Sequence, residues 1–257
     1  MWPFKKPVKQ PAHKPATSVL CIPGNWTDFE AFQEALIVSS GASCMVVGNM
    51  LINGKDKRHY SIDFCEHDAK MSESFRVAGR VTELPNETLD EIASHRFVLY
   101  ISGETGNLAE AEQIARAGMA LLKAGGIALK VESAGKAFSR TTWLEFISNF
   151  EPERHFYDMF VLDSITRDDG TVFSCGMHNL GFKDTIISGE PFEEAMNLIR
   201  MFGYYQIVDK PNIKHNQTFQ LSPGAPLFRI TEENHPPYAN SEVFHNPFGM
   251  WRLTKMD

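Results

Sequence analysis

The sequence predicts an α+β protein made of two ferredoxin-like halves joined by a long helix. Two observations lead to this expectation. Strand and helix patterns follow the order β-α-β-β-α-β twice along the chain, which is the order of the ferredoxin-like fold. The most regular helical pattern of the sequence lies between the two sets. With 257 residues, of which 43% are hydrophobic, the chain can bury one large core or two coupled ones.

The first half is expected at residues 18–104. Thr27, with Glu30 three residues later, has the spacing of a capping box at the start of its first helix. A second helix is expected from about Ala69, with Met71, Phe75 and Ala78 at helical spacing. In order, the predicted elements are strand SVLCIPG, helix TDFEAFQEALIVSS, strands CMVVGNMLI and HYSIDFC, the helix from Ala69, a short helix in ETLDEIASH and strand FVLYISG.

The connecting helix is expected at residues 105–126, with Asn107 as its N-cap and Gly125 at its end. One face carries an apolar stripe of small and large residues, formed by Leu108, Ala111, Ala115, Gly118 and Leu122. Alanine and glycine on this stripe permit a close approach of backbones, so the helix should pack tightly between layers.

The second half is expected at residues 127–230, followed by a C-terminal wrapping segment at 231–257. The two halves share no obvious residue pattern, so the predicted internal duplication concerns topology alone. The aromatic residues of the last segment either cover the protein's own core, which is the favoured interpretation, or form a protein-contact patch. The predicted elements are strand IALKVES, helix RTTWLEFISNF, strands FYDMFVLDSI and VFSCGMHNL joined by an Asp-Gly turn, helix PFEEAMNLIRMFGYYQIV and strand PLFRI.

Residues 1–17 predict a disordered, extended tail because they contain four Lys and four Pro. The chain has a net charge of −7, and the basic tail leaves about −11 on the remaining residues. Such an acidic body repels phosphate backbones, which argues against a nucleic-acid function. No apolar run approaches the roughly 18–20 residues that span a bilayer, so no membrane association is expected. Four cysteines without a CxxC pair predict reduced thiols in a cytoplasm.

The stretch DFCEHD, residues 63–68, concentrates groups that bind metals or perform catalysis. Cys65 and His67, with Asp68 as a third ligand, form one possible metal site. Zinc sites need three or four ligands, commonly in spaced pairs, and no second pair lies nearby in the sequence. The favoured interpretation is therefore the end of a strand followed by Asp68 as the N-cap of the next helix. No metal and no cofactor are expected.

The stretch CGMHNLG contains Cys175 and His178, which resemble a nucleophile and its base. On a regular strand, positions three apart face opposite sides, so a buried cysteine and a loop histidine are expected instead. The stretch KVESAGKAFS fails the phosphate-loop pattern, because Lys130 stands where glycine is required and Ala137 follows Lys136. GETGN lacks the three-glycine spacing of a dinucleotide-binding turn. No catalytic residue can be assigned from these motifs.

Four segments resemble bacterial proteins of the domain-of-unknown-function family 4261. They are EHDAKMSESFRVAG, LDEIASHRFVLYIS, ARAGMALLKAGGIALKVESAGKAFS and GMHNLGFKD. The likeness extends from about Ser18 to beyond Gln206. It implies a bacterial cytoplasmic protein with a family fold and no assigned activity.

Two functions follow from these observations. The first is a non-enzymatic protein that binds a protein partner, such as an immunity or adaptor protein, because catalytic motifs are missing and an acidic body complements a basic partner. The alternative is an enzyme or small-ligand binder with a site in the cleft between the halves. Polar groups near strand ends that could converge there are His67, His95, Glu104, Glu132 and His178.

Overall fold

The computed structural model describes residues 16–54 and 58–256, and two β-sheets with packed helices form this part of the chain. Its strands are β1 (Ala16–Gly24), β2 (Cys44–Val47), β3 (Met50–Asn53), β4 (Arg58–Glu66), β5 (Phe97–Thr105), β6 (Ala128–Val131), β7 (Lys136–Ser139), β8 (Leu162–Thr166), β9 (Val172–Cys175), β10 (Asp184–Ile187), β11 (Thr218–Phe219), β12 (Phe228–Glu232) and β13 (Met250–Lys255). Its helices are α1 (Phe29–Ser40), α2 (Met71–Ala78), α3 (Asn86–Ala93), α4 (Leu108–Lys123), α5 (Arg140–Ser148), α6 (Pro152–Phe160) and α7 (Phe192–Val208). The α+β class is thus confirmed, while the expected tail lies mostly outside the described residues.

The first sheet has seven strands in the order β2-β3-β4-β5-β1-β6-β7. Strand β1 pairs antiparallel with β5 over nine residues, from Ala16 opposite Thr105 to Gly24 opposite Phe97. On its other edge β1 pairs with β6. A ferredoxin-like half would place β1 between β5 and β4, but both edges of β1 are already occupied. The ferredoxin-like halves are therefore not confirmed.

Helices cover both faces of the first sheet. Leu20 and Ile22 of β1 point to the face that packs against α1, α4 and α5, whereas Cys21 points to the face covered by α2 and α3. This alternation is the two-residue period of a strand buried on both sides. The sheet therefore forms the middle of a three-layer arrangement.

Helix α4 lies on the first sheet, with Asn107 as its N-cap and an apolar stripe that is largely buried, as expected. A Cβ at Gly118 would lie against the side chains of Leu20 and Leu129, so glycine allows the close approach that the small-residue stripe predicts. The helix packs on strands of the first sheet and against α1 and α5. Its expected role as a linker between two halves is not confirmed, because β6 and β7 after it return to the same sheet.

The second sheet has six strands in the order β11-β12-β13-β10-β9-β8. Strand β13 pairs parallel with β10 and antiparallel with β12. Helix α7 covers one face through a cluster that includes Phe202 and Ile199. The C-terminal segment therefore supplies an interior strand, in addition to the loop that precedes it.

Several local expectations need correction. FYDMF is the end of helix α6 and not the start of a strand, because Phe156 and Phe160 are buried at helical spacing after Pro152 at the first turn. CMVVGNMLI is two strands, since a Gly-Asn turn reverses the chain between β2 and β3. KAFS, which lies between the predicted strand IALKVES and the predicted helix RTTWLEFISNF, is strand β7.

Two helix starts also differ from expectation. The carboxylate of Asp28, and not the side chain of Thr27, caps α1 by accepting from the Ala31 N–H at 2.8 Å. Helix α2 begins at Met71 and not at Ala69, and the expectation that Asp68 is its N-cap is wrong. Lys70 occupies the N-cap position without a side-chain cap, and Asp68 accepts from the Lys70 N–H just before the helix. None of the helices in residues 16–54 and 58–256 is long and apolar enough to cross a membrane.

Candidate functional site

A cleft of about 600 Å³ opens where the two sheets meet. Strand β7, at one edge of the first sheet, and strand β8, at one edge of the second, supply facing walls. Helices α5, α6 and α7 and the 3-10 turn at Arg80–Thr82 complete the lining. The residues that line it are Arg80, Val81, Thr82, Glu83, Lys136, Phe138, Thr142, Phe146, Asp158, Leu162, Asp163, Ser164, Met196 and Arg200.

Lys136 is fixed in the cleft by the end of helix α6. Its Nζ donates to the carbonyl oxygens of Asp158 at 2.5 Å and Val161 at 3.0 Å. These carbonyls lie in and just after the last turn, where a cation is favoured by the helix dipole. Burial lowers the pKa of Lys136 to about 8, although the nearby carboxylates of Asp163 and Asp158 oppose that shift. The ammonium is therefore mostly charged at neutral pH and loses its proton just above it.

Asp163 of β8 is a buried carboxylate with a cationic partner. Arg200 of α7 binds it through two nitrogens, with Nε at 2.8 Å from Oδ2 and Nη2 at 3.3 Å from Oδ1. The Tyr157 hydroxyl donates to the same Oδ2 at 3.2 Å. The hydrogen bond to Asp163 is the main cause of a raised pKa at Arg200. This two-point pairing orients the guanidinium at the cleft wall.

Asp158 of α6 has its own partners. The Tyr204 hydroxyl donates to Oδ1 at 3.2 Å, and Arg154 Nε lies 3.6 Å from Oδ2. Burial, followed by the charge of Asp158, raises the pKa of Tyr204 to about 12, so this phenol stays a donor at neutral pH. The two inner carboxylates of the cleft are thus both hydrogen-bonded.

The Arg80–Thr82 turn brings a further cation to the cleft. Thr82 Oγ1 donates to the carbonyl oxygen of Ala137 in β7 at 2.5 Å, which attaches this turn to the sheet edge. Arg80 and Glu83 are exposed, and the side chain of neither makes a hydrogen bond or ion pair with another described residue. Apolar side chains form the remaining walls, namely Phe138, Phe146, Leu162 and Met196.

The charged and apolar lining of the cleft can bind a small molecule. It offers ammonium and guanidinium donors in fixed positions, beside apolar walls, and its inner carboxylates are already paired. It lacks a nucleophile paired with a histidine base among its lining residues. Its charged residues would hold and orient a small molecule.

The DFCEHD stretch comprises the last residues of β4 and the two residues that follow it. Ser61, Asp63 and Cys65 point to the exposed face of β4, and Tyr60 and Ile62 point into the core, as the strand alternation predicts. Within residues 16–54 and 58–256, no group of three or more His, Cys, Asp or Glu is arranged to hold a metal ion. None of the four cysteines forms a disulfide bond, and Cys65 alone among them is exposed.

His67 and His95 do meet, at the other end of the first sheet. Their ring centroids lie 4.4 Å apart, and His67 Nδ1 donates to the His95 carbonyl oxygen at 2.7 Å. His95 donates through Nδ1 to the Ile92 carbonyl oxygen and accepts the Asp68 N–H at Nε2. Nε2 of His95 therefore joins the residues after β4 to those before β5, whereas Nδ1 binds the last turn of α3. Burial, partly offset by the hydrogen bond to Ile92, lowers the pKa of His95.

The CGMHNLG stretch is a buried turn between the sheets. Cys175 ends β9, and its Sγ donates to the Ser133 carbonyl oxygen at 3.9 Å, so the pair with His178 does not form. Burial, with His245 as a smaller cause, lowers the pKa of His178 to about 4, and its two ring nitrogens have no hydrogen-bond partner among the described residues. Asn179 Oδ1 accepts from Ser18 at 2.5 Å and from Ser133 at 2.8 Å. The turn joins the sheets and contributes no catalytic pair.

Glycines at both ends make this turn possible. Gly176 has φ 115°, and a Cβ there would collide with the carbonyl oxygen of Phe160. Gly181 has φ 87°, and a Cβ there would collide with the carbonyl oxygen of Gly106. The turn therefore lies in direct backbone contact with the residue that ends α6 and with the residue between β5 and α4.

The five polar residues expected to converge do not line the cleft. His95 and Glu104 lie at opposite ends of β5, which at about 3.3 Å per residue places them roughly 25–30 Å apart. Glu132 pairs with Lys130 at 2.8 Å, and His178 is buried in the turn. The cleft lies between the two sheets, and apart from the 80–83 segment its lining comes from residues 136–200, which fall in the expected second half.

Comparison with protein-family models, with curated proteins and with solved structures finds no match for this chain. The resemblance to family 4261 stays a prediction.

Proposed function

We propose that this protein binds a small molecule in the cleft between its two sheets. One observation carries the proposal. Lys136, Asp163 and Arg200 come from three distant segments, and hydrogen bonds hold all three at the wall of one 600 Å³ space. Ligand sites in proteins commonly occupy about 300–1,000 Å³ and combine apolar walls with a few oriented polar groups.

The fixed geometry of these groups supports binding over a purely structural role. An ion pair at a protein surface adds little stability, because fixing its two side chains costs conformational entropy. Here the entropy is already lost, because backbone carbonyls hold Lys136 and a buried carboxylate holds Arg200. A ligand would therefore meet preorganised donors, which lowers the free-energy cost of binding.

The test uses the methyl group of Met196 as a reporter in the cleft. The protein is labelled with ¹³C at methionine methyl groups, and the Met196 signal is assigned with Met196→Leu. Small carboxylates, phosphates, amines and alcohols are then added. We expect a subset to shift the Met196 signal in a saturable manner.

A variant that fills the cleft provides the control. Ser164→Trp places an indole among the lining residues, and Ser164 is half-buried and has no side-chain hydrogen bond with described residues. Thr166→Trp adds the same bulk to an exposed position of β8 outside the cleft. Binding should be lost in Ser164→Trp and kept in Thr166→Trp. Equal binding in both variants would refute a site in the cleft.

A second candidate function, the binding of a protein partner in the manner of an immunity or adaptor protein, is favoured by a different surface. Met45 and Val47 of β2 are 43% and 56% exposed, and register places Ile52 and Met50 of β3 opposite them. We name these four residues the hairpin face. Helices α2 and α3 cover β1, β5, β6 and β7 but not the hairpin face, which leaves an apolar patch open to a partner.

The strand edge beside the hairpin face is less open. Gln33 Nε2 of α1 donates to the Val46 carbonyl oxygen at 3.3 Å, and the Cys44 N–H donates to Ser40 Oγ at 3.1 Å. Side chains of α1 thus occupy backbone groups of β2, which disfavours strand addition. A partner would contact the face through its side chains.

Native mass spectrometry of Val47→Lys and Val77→Lys tests this second candidate. Val77 is 53% exposed on α2, so the two variants add the same charge at equally exposed positions. A stoichiometric partner should be lost only from Val47→Lys. A partner that leaves both variants, or neither, would show that the hairpin face is not its docking site.

A further inference from the structure

The positive and negative groups of the cleft differ in how many hydrogen-bond partners they already have. Lys136, Arg80 and Arg200 are its cations, and Asp158, Asp163 and Glu83 are its acids. The sum is zero, but the hydrogen bonds distribute these charges unevenly. The charge that a ligand should carry depends on which of these groups still have unused hydrogen-bond donors or acceptors.

The inner acids have little capacity left. Asp163 accepts two bonds from Arg200 and one from Tyr157. Asp158 accepts from Tyr204 and lies near Arg154. A ligand cation would have to compete with guanidinium groups that are already in place.

The cations have more capacity. Two backbone carbonyls take two of the three N–H donors of Lys136, and no carboxylate of the described residues lies within 4.0 Å of its Nζ. Arg80 has no described partner. A guanidinium has five N–H donors, and Asp163 takes two of those of Arg200. Donors on cations therefore exceed the acceptors that face them.

We infer that the cleft takes a small organic anion, in which a carboxylate or phosphate group binds beside Lys136, Arg80 and Arg200 and an apolar body lies against Phe138, Phe146, Leu162 and Met196. This inference rests on the proposed small-molecule function and names its ligand class. Glu83 is exposed and lies three residues from Arg80, so it weakens the attraction without filling the inner site. Arginine and lysine donors to carboxylate and phosphate are the strong, charge-assisted hydrogen bonds of proteins.

Four probes with one aromatic ring and different head groups test the inference. They are phenyl phosphate, phenylacetate, benzyl alcohol and benzylamine, each titrated against the Met196 methyl signal of the full chain. We expect both anions to bind roughly 10-fold or more tightly than benzyl alcohol, and benzylamine to bind weakest. A large preference for phenyl phosphate over phenylacetate would identify phosphate as the head group, and the reverse would identify carboxylate.

Charge variants sharpen the test. Arg80→Gln should weaken binding of both anions by roughly 3- to 10-fold and leave benzyl alcohol unchanged. Glu83→Gln should strengthen anion binding by about 2- to 5-fold, since it removes a repelling charge. Arg229→Gln is the matched control, because Arg229 is an exposed arginine of β12 outside the cleft whose side chain has no partner among the described residues.

The outcomes separate the inference from the proposed function. If benzyl alcohol or benzylamine binds the cleft as tightly as the anions do, the anion inference is overturned and small-molecule binding stands. If Arg80→Gln and Arg229→Gln behave alike, recognition by Arg80 is overturned. If no probe shifts Met196 in the wild type, both proposals are overturned.

Discussion

Two buried carboxylates of the second sheet, Asp163 in β8 and Asp184 in β10, have opposite surroundings. Asp163 faces the Arg200 guanidinium and the cleft. Asp184 accepts from neutral donors, among them Ser174 Oγ at 3.2 Å, the Met177 N–H at 3.1 Å and Asn246 Nδ2 at 2.7 Å. Burial raises the pKa of Asp184 to about 6, although these hydrogen bonds oppose the shift.

The different partners of the two carboxylates indicate different roles, one beside a cleft and one in holding segments together. Asp163 sets the position of a cation beside an open space of ligand size. Asp184 ties together β9, the turn that follows it and the C-terminal segment, with no charge partner and no large cavity. The proposed ligand site therefore rests on Asp163, whose paired charge borders open space, and not on Asp184.

The largest effect is expected from removing the structural carboxylate. Asp184→Ala would leave three donors without an acceptor, and each unpaired buried donor costs about 1–3 kcal/mol. We expect the free energy of unfolding to fall by about 3 kcal/mol in urea titrations. Asp184→Asn, which keeps one acceptor oxygen, should cost less, about 1 kcal/mol. Equal losses would show that the negative charge, and not the acceptor, stabilises the turn.

Removing the cation that pairs with Asp163 should cause a smaller loss of stability, and a second substitution should restore most of it. Arg200→Met leaves Asp163 buried without its cation, which should lower the free energy of unfolding by about 2 kcal/mol, since Arg200 is half-exposed and water can reach the site. Adding Asp163→Leu should recover most of that loss, because it removes the uncompensated charge. If the double variant is as unstable as the sum of the single ones, the two residues are not energetically coupled.

The sequence predicts much of the local structure but little of the pairing. Strand β1 and helices α4 and α7 follow clear periodicities, and Asn107 caps α4 as expected. Strands β10 and β13 are short, and their paired residues, such as Asp184 and Met250, lie 66 positions apart, so no local pattern reveals that they pair. The order of strands in a sheet depends on which edges are free, and that is settled by long-range packing.

The cleft was not predictable from motifs. Lys136, Asp163 and Arg200 lie in three segments without a common pattern, and Lys136 was considered only for a phosphate loop that the sequence lacks. One signal was present. The stretch EPERHFYDMF has proline at a helix start and apolar residues four apart, which indicates the helix whose end binds Lys136.

His178 and Asp184 are both expected to make the stability of the protein depend on pH. Its folded-state pKa of about 4 lies below the unfolded value near 6.5, so unfolding takes up a proton and stability falls as pH drops through this range. Asp184 acts in the opposite direction, because its raised pKa makes the folded state take up a proton below about pH 6. The two contributions largely cancel in the wild type.

A variant without the imidazole removes that cancellation. Between pH 7 and pH 5, the wild type should lose about 2 kcal/mol of stability relative to His178→Phe, as measured by urea unfolding at each pH. His215→Phe is the control, because His215 is exposed. Parallel pH profiles for wild type and His178→Phe would mean that His178 is hydrogen-bonded or hydrated in solution.

The smallest expected effect is a change in ligand affinity with pH, which arises from Lys136 beside Asp163 in the cleft. Lys136 has a pKa of about 8, and the charged groups facing it are Asp158, Asp163 and Arg200. An anion binds the ammonium form, so raising the pH from 7 to 9 should weaken phenylacetate binding by up to about 10-fold, or about 1.4 kcal/mol. Benzyl alcohol, which has no charge, should bind equally at both pH values. A pH-independent affinity for phenylacetate would place its carboxylate away from Lys136 and leave the two arginines as its partners, whereas a parallel loss for benzyl alcohol would show that the cleft itself changes shape.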